Sequence, residues 1–313
     1  LVAIALVSYV TSALITRSWH SLSRLEFISY FAFSFAVVLS VIFSKNQQVT
    51  LFGDVFDQSS AVAMLSLPAI MYLVRTLPEK MRAKLKLVLI GLLSLSAFTF
   101  VSALIYKGEI TNYAKQLFTG FSNPISFAVY IGIFAVATMF YVFKGALPKK
   151  HKVWIAITSV LFFAWAIALT SQDSVRPNFT STALVGKKVL THEGIFGIGS
   201  GNFTRAWQLY RPQEVITSQY FGYDFAQGSS TMSTLFVTVG IVGLLAFIAL
   251  ILSALYSTFI SYRQNPSGRE HFILGLLVSV LGYFVIVSWL VPLSYAMLVV
   301  WMVVSGLGLA KAR

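Results

Sequence analysis

Long apolar runs recur from one end of the chain to the other, and they limit its fold more than any other feature. They lie near residues 1–15, 26–44, 60–77, 86–106, 124–143, 153–170, 232–260, 271–290 and 292–310. A bilayer's hydrocarbon core is about 30 Å thick and a helix rises about 1.5 Å per residue, so a run of about 17–25 residues matches one crossing. Only 11% of the residues are charged, against roughly 25% in soluble domains. Unpaired backbone groups in lipid cost several kcal/mol each, which leaves helices or a closed barrel. The ten-residue alternating segments of a barrel are missing. The expected fold class is all-α: a polytopic transmembrane helix bundle of about nine helices, one integral membrane domain over residues 1–313. The first run is short and lacks the basic region of a signal peptide, so it reads as the trimmed start of a span.

The distribution of charge orients this bundle. Alternate connections divide the 23 basic residues into two sets. One set holds 15 of them in short connections, from Arg17 and Arg24 through the Arg75–Lys86 and Lys144–Lys152 clusters to Arg263, Arg269, Lys311 and Arg313. With its three acidic residues this set nets +12, whereas the other set nets +1. Lys and Arg favour the cytoplasmic side. The C-terminus is therefore expected inside and the long segment 171–231 outside. The overall charge of +13 reads as a topology signal and a contact with anionic membrane lipids, with no nucleic acid implied. The chain has no cysteine, which excludes disulfides and thiolate metal sites.

The segment 171–231 is the one long polar interruption, and long connections of this kind carry function more often than spans do. It is expected to fold into short helices over the bundle. It holds Arg176, Lys187, Lys188, Arg205 and Arg211. A guanidinium is a planar fork that grips phosphate through two bonds and stays charged. Arg176, just after an apolar helix, would sit near headgroup depth, and the other four could converge on it. The glycine cluster HEGIFGIGSGNF, His192 to Phe203, includes Gly199, Gly201 and Asn202. Its spacing fails the dinucleotide-loop pattern and contains no Gly-Lys-Ser/Thr. It reads as a tight turn between short helices or, less simply, as a backbone cradle for a sugar or phosphate. His192 is the segment's only histidine and a candidate general base. Its carboxylates lack metal-ligand spacing. The spans hold almost no ionisable groups, which weighs against a proton- or sodium-coupled pump.

Together, Arg176, the amphipathic stretch TALVGKKVL (Thr182 to Leu190), HEGIFGIGSGNF and the helix opening VTVGIVGLLAF (Val237 to Phe247) resemble the O-antigen ligase and polymerase superfamily of polytopic bacterial membrane proteins. The resemblance covers about 75 residues. It implies a bacterial inner-membrane glycosyltransferase with a periplasmic 171–231 loop. Such a protein takes a glycan from a polyprenyl-diphosphate carrier and joins it to a lipid or protein acceptor, with no nucleotide sugar and no cofactor. Arg176 would then bind the carrier's diphosphate and stabilise the departing charge, with Arg211 as helper. The ligase histidine of that family falls on Gln227-Gly228-Ser229-Ser230, where this chain has none. A transporter or flippase for lipid-linked glycans and a non-catalytic membrane scaffold are the competing readings.

Overall fold

The computed structural model describes residues 23–53, 59–88, 91, 124–144, 148–171, 176–216, 222–264 and 268–309. Their regular structure is all helical, with no strand among them. The helices are α1 (Arg24–Ile42), α2 (Gln47–Phe52), α3 (Ala61–Thr76), α4 (Glu79–Val88), α5 (Pro124–Lys144), α6 (Lys149–Ser171), α7 (Phe179–His192), α8 (Phe203–Tyr210), α9 (Gln213–Ile216), α10 (Thr231–Thr238), α11 (Gly240–Gln264), α12 (Gly268–Leu290) and α13 (Tyr295–Leu309).

Three of them, α1, α11 and α12 from Glu270, are long and apolar enough to cross a membrane, and α3 with α4 makes a fourth if that broken pair counts as one span. Shorter apolar helices lie at Ala128–Lys144 and Tyr295–Gly308. Large apolar side chains cover their outer surfaces. Phe27, Phe31 and Phe35 form a stacked ladder on α1, each more than half exposed, and Trp154, Phe143 and Leu290 are more exposed still. Water would penalise this surface at about 25 cal/mol per Å², and lipid does not. The several apolar helices are those of a multi-pass membrane protein.

Local chemistry sets the helix ends. Ser23 and Glu26 form a capping box at the start of α1: the Ser23 hydroxyl accepts from the Glu26 amide at 3.3 Å, and the Glu26 carboxylate accepts from the Ser23 amide at 2.8 Å. Glu26 is fully buried at this span end, with the Ser23 amide on one of its carboxylate oxygens. Pro124 opens α5, where its missing N–H costs no helical bond. Two sequence expectations change. The single run 232–260 is two helices, because Gly240 sits at φ +70° between α10 and α11. The short basic connection expected after run 60–77 is also helical, as α4. The first run, residues 107–123 between two of the runs, and nearly all of run 86–106 lie outside the described residues.

The chain groups into two compact units. One gathers α1–α3 as far as Leu73, α7–α10, α11 to Tyr256 and the α12–α13 junction. Its core tilts Phe33 against Phe247 and sets Phe247 edge-on to Trp301, with ring centroids 5.4 and 5.8 Å apart. A Ser29–Ser253 hydroxyl pair at 2.9 Å joins α1 to α11. The other unit is built around the α5–α6 hairpin and the facing parts of α11 and α12. Thr138 meets Ser159 at 2.7 Å, and Phe134 lies edge-on to Phe162. Gly132 leaves room for the Tyr283 ring, whose hydroxyl donates to the Val129 carbonyl at 3.2 Å.

Candidate functional site

The segment between α6 and α10 folds around a small apolar core of its own. Asn178 caps α7, its side-chain oxygen accepting from the Ser181 amide at 2.6 Å. TALVGKKVL then acts as an amphipathic helix: Val185, Gly186 and Val189 turn inward, Lys187 and Lys188 outward. Val185 and Val189 pack with Ile198, Phe203, Ala206, Trp207, Phe225 and Val237. Gly186 is where the Phe236 ring approaches, too close for any larger residue. The short α8 supplies Phe203, Ala206 and Trp207 to this core, with Trp207 edge-on to Phe225 at 4.9 Å.

The two glycine motifs, some forty residues apart, close on each other. The Ile198 and Gly199 amides donate to the Val237 and Thr238 carbonyls at 3.1 and 2.8 Å. Gly197 runs so close to Gly240 that a Cβ on either would strike the other's backbone. On its other side the cluster meets the α1–α2 connection. Gly199, at φ +109°, faces Ser44 and Thr50 where a Cβ would lie 2.5–2.6 Å from their hydroxyls. Gly201 passes the Val49 carbonyl. The Ser44 hydroxyl donates to the Ile198 carbonyl at 3.1 Å, and the buried Asn202 amide donates to the Thr50 hydroxyl at 2.7 Å. The glycines thus serve close approach of backbones, and the amides of residues 197–199 and 202 are engaged within the protein.

A polar clasp lies at the edge of this contact. Lys45 pairs with Glu193 at 2.9 Å, and the Tyr210 hydroxyl donates to the same carboxylate at 2.9 Å. Burial pushes the Glu193 carboxyl up, but Lys45, Tyr210 and the nearby Arg205 outweigh it and hold it below the ordinary value. The same burial and the same carboxylate push the Tyr210 phenol up. His192 stacks flat on Tyr210, with centroids 5.6 Å apart, and stays exposed.

The predicted cations therefore have different fates. Lys187 and Lys188 stand on the outer face of α7. Arg205 lies beside Glu193. Arg211 ends α8, its amide bonded to the Trp207 carbonyl. Arg176 differs from these: its Nη1 is buried, and it makes no hydrogen bond or ion pair among the described residues. Among those residues no group of three His, Asp or Glu side chains is placed to hold a metal ion.

A cavity of about 30 Å³ lies beside α10, and no local pattern in the chain announces it. Ser59, Gln227, Thr231, Thr234, Thr238 and Tyr295 supply its polar wall, and Met64, Leu235, Leu293 and Leu298 its apolar one. A second link joins this wall to α7: the Ser229 amide donates to the Thr182 hydroxyl at 3.1 Å. Lys45 and Thr50 were likewise missed as partners of the segment, because contacts across some 150 residues leave no local pattern.

No protein-family model and no curated protein matches the chain.

Proposed function

We propose that this chain is a membrane glycosyltransferase of the O-antigen ligase or polymerase kind, moving a glycan from a polyprenyl-diphosphate carrier to an acceptor on the outer side of a bacterial inner membrane. In this reading about nine helices span the bilayer, the C-terminus is cytoplasmic, and α7–α9 lie on the outer face. The observation that carries the proposal is the unengaged Arg176 nitrogen. Burying part of a guanidinium with no partner costs free energy that an incoming anion returns. A diphosphate offers the paired oxygens a guanidinium fork fits. During transfer the bond from the sugar's anomeric carbon to the phosphate oxygen breaks, and its electron pair leaves with the diphosphate. An acceptor oxygen forms the new bond and passes its proton to the departing diphosphate. Arg176 stabilises the charge that gathers on the leaving oxygens.

The test is transfer in membranes supplied with polyprenyl-diphosphate glycan. Arg176→Ala is expected to cost about a hundredfold or more in rate while the protein stays folded. Arg176→Lys is expected to fall short as well, because an ammonium lacks the two-pronged geometry. Unchanged transfer by Arg176→Ala would remove the assignment. Glycan moved across the bilayer without being joined to an acceptor would make the protein a flippase.

A further inference from the structure

We propose that the cavity beside α10 is a subsite for a neutral sugar hydroxyl or hydroxymethyl group of the carrier-linked glycan, a reading that rests on the function proposed above. The hydrogen-bonding capacity left over in its wall carries the argument. Thr231 donates to the Val291 carbonyl at 3.3 Å, Thr234 to the Ser230 carbonyl at 2.7 Å, and Thr238 to the Thr234 carbonyl at 2.9 Å. With their protons committed, these hydroxyls offer the cavity only lone pairs. Thr231 and Thr234 also accept from the Leu293 and Gly228 amides, which leaves Thr238 the freest acceptor. Gln227 supplies the complement: its carboxamide is half-buried in the same wall and has no hydrogen-bond partner among the described residues.

A ligand that suits this wall must give one proton and take another, as a sugar hydroxyl does. An anion would meet the lone pairs of three threonines. A cation would find no carboxylate in the lining. The apolar side chains opposite suit the C–H face of a sugar. A cavity needs about 10–15 Å³ to hold one water-sized group, so about 30 Å³ admits a single hydroxymethyl arm and no whole ring. Its location selects the donor glycan. Gly228 packs against Thr182 and Ser229 bonds to it, in the first turn of α7, a few residues from Arg176. A sugar one bond from a diphosphate held by Arg176 would lie at that turn.

The test compares farnesyl diphosphate with farnesyl diphospho-glucose and farnesyl diphospho-N-acetylglucosamine, binding the full chain in nanodiscs. At least one sugar-bearing probe is expected to bind about three- to tenfold tighter than the bare one, the worth of one neutral hydrogen bond. Gln227→Ala breaks no hydrogen bond among the described residues, and it is expected to erase that difference while leaving farnesyl diphosphate unchanged. Thr238→Val should weaken only the sugar-bearing probes, and Thr238→Ser should restore them. Equal wild-type affinity for bare and sugar-bearing probes would overturn the subsite and leave the Arg176 site standing, as would an equal loss for both in Gln227→Ala. Failure of every probe to bind would sink the diphosphate site and the subsite together.

Discussion

Glu193 and Arg176 show how one polar segment can hold charges in opposite conditions. Glu193 has every partner a carboxylate needs, and its folded value lies below the ordinary 4.5. A group of that kind stabilises the fold fully above its unfolded value and loses the contribution as pH falls through the lowered folded value. The wild type should therefore melt higher than Glu193→Gln at neutral pH, with the gap closing as pH drops below about 4.5. Melting curves in nanodiscs across that range check it, and a gap independent of pH would assign the clasp to packing alone. At the alkaline end Tyr210 works the other way: its neutral form is favoured, so its share is lost only above the ordinary 10.0. Lys45 is largely exposed, and an exposed ion pair is worth little, so removing it should cost less than removing Glu193.

Among the elements, the glycine block between α7 and α8 is the most constrained. Gly194 and Gly199 both adopt positive φ, but only Gly199 is also enclosed, with Ser44 and Thr50 against it. Gly194→Ala meets nothing within 4 Å, so it should cost about 1–2 kcal/mol from backbone strain alone. Gly199→Ala adds a collision and should cost about 2–4 kcal/mol. Thermal shifts of the two variants check the order. Equal effects would mean that the α1–α2 connection yields freely to the block.

For the whole molecule, the nine-span reading proposed above has the α1–α2 connection, the 171–231 segment and the α12–α13 junction share one side of the membrane. They touch: Lys45 with Glu193, Thr50 with Asn202, and the Thr231 amide with the Val291 carbonyl at 3.2 Å. Which side they share is open to a direct test, because the chain has no cysteine. In intact cells an impermeant maleimide should label Lys187→Cys, and label Lys150→Cys only after permeabilisation. The reverse pattern would invert the proposed orientation and place the Arg176 site in the cytosol.

The sequence by itself determined the apolar, helical character of the chain, but not where every helix breaks. Span-length apolar runs and scarce charge need lipid and helices whatever their partners, and 26–44, 124–143 and 271–290 reappear as α1, α5 and α12. The amphipathic TALVGKKVL stretch was legible for the same reason, since helical periodicity is local. Tertiary structure decided what each polar group is for. Gly199 and Asn202 read as a cradle or a turn until Ser44 and Thr50 arrived from a distant connection to occupy them. Gly240 interrupts a hydrophobic run that looks unbroken, because the reason for the break is the backbone of Ile195–Gly197 lying against it. Residue type fixes how many hydrogen bonds a side chain can make. Only the folded chain fixes which of them are already taken, and so leaves the Arg176 guanidinium and the Gln227 carboxamide with bonds to offer.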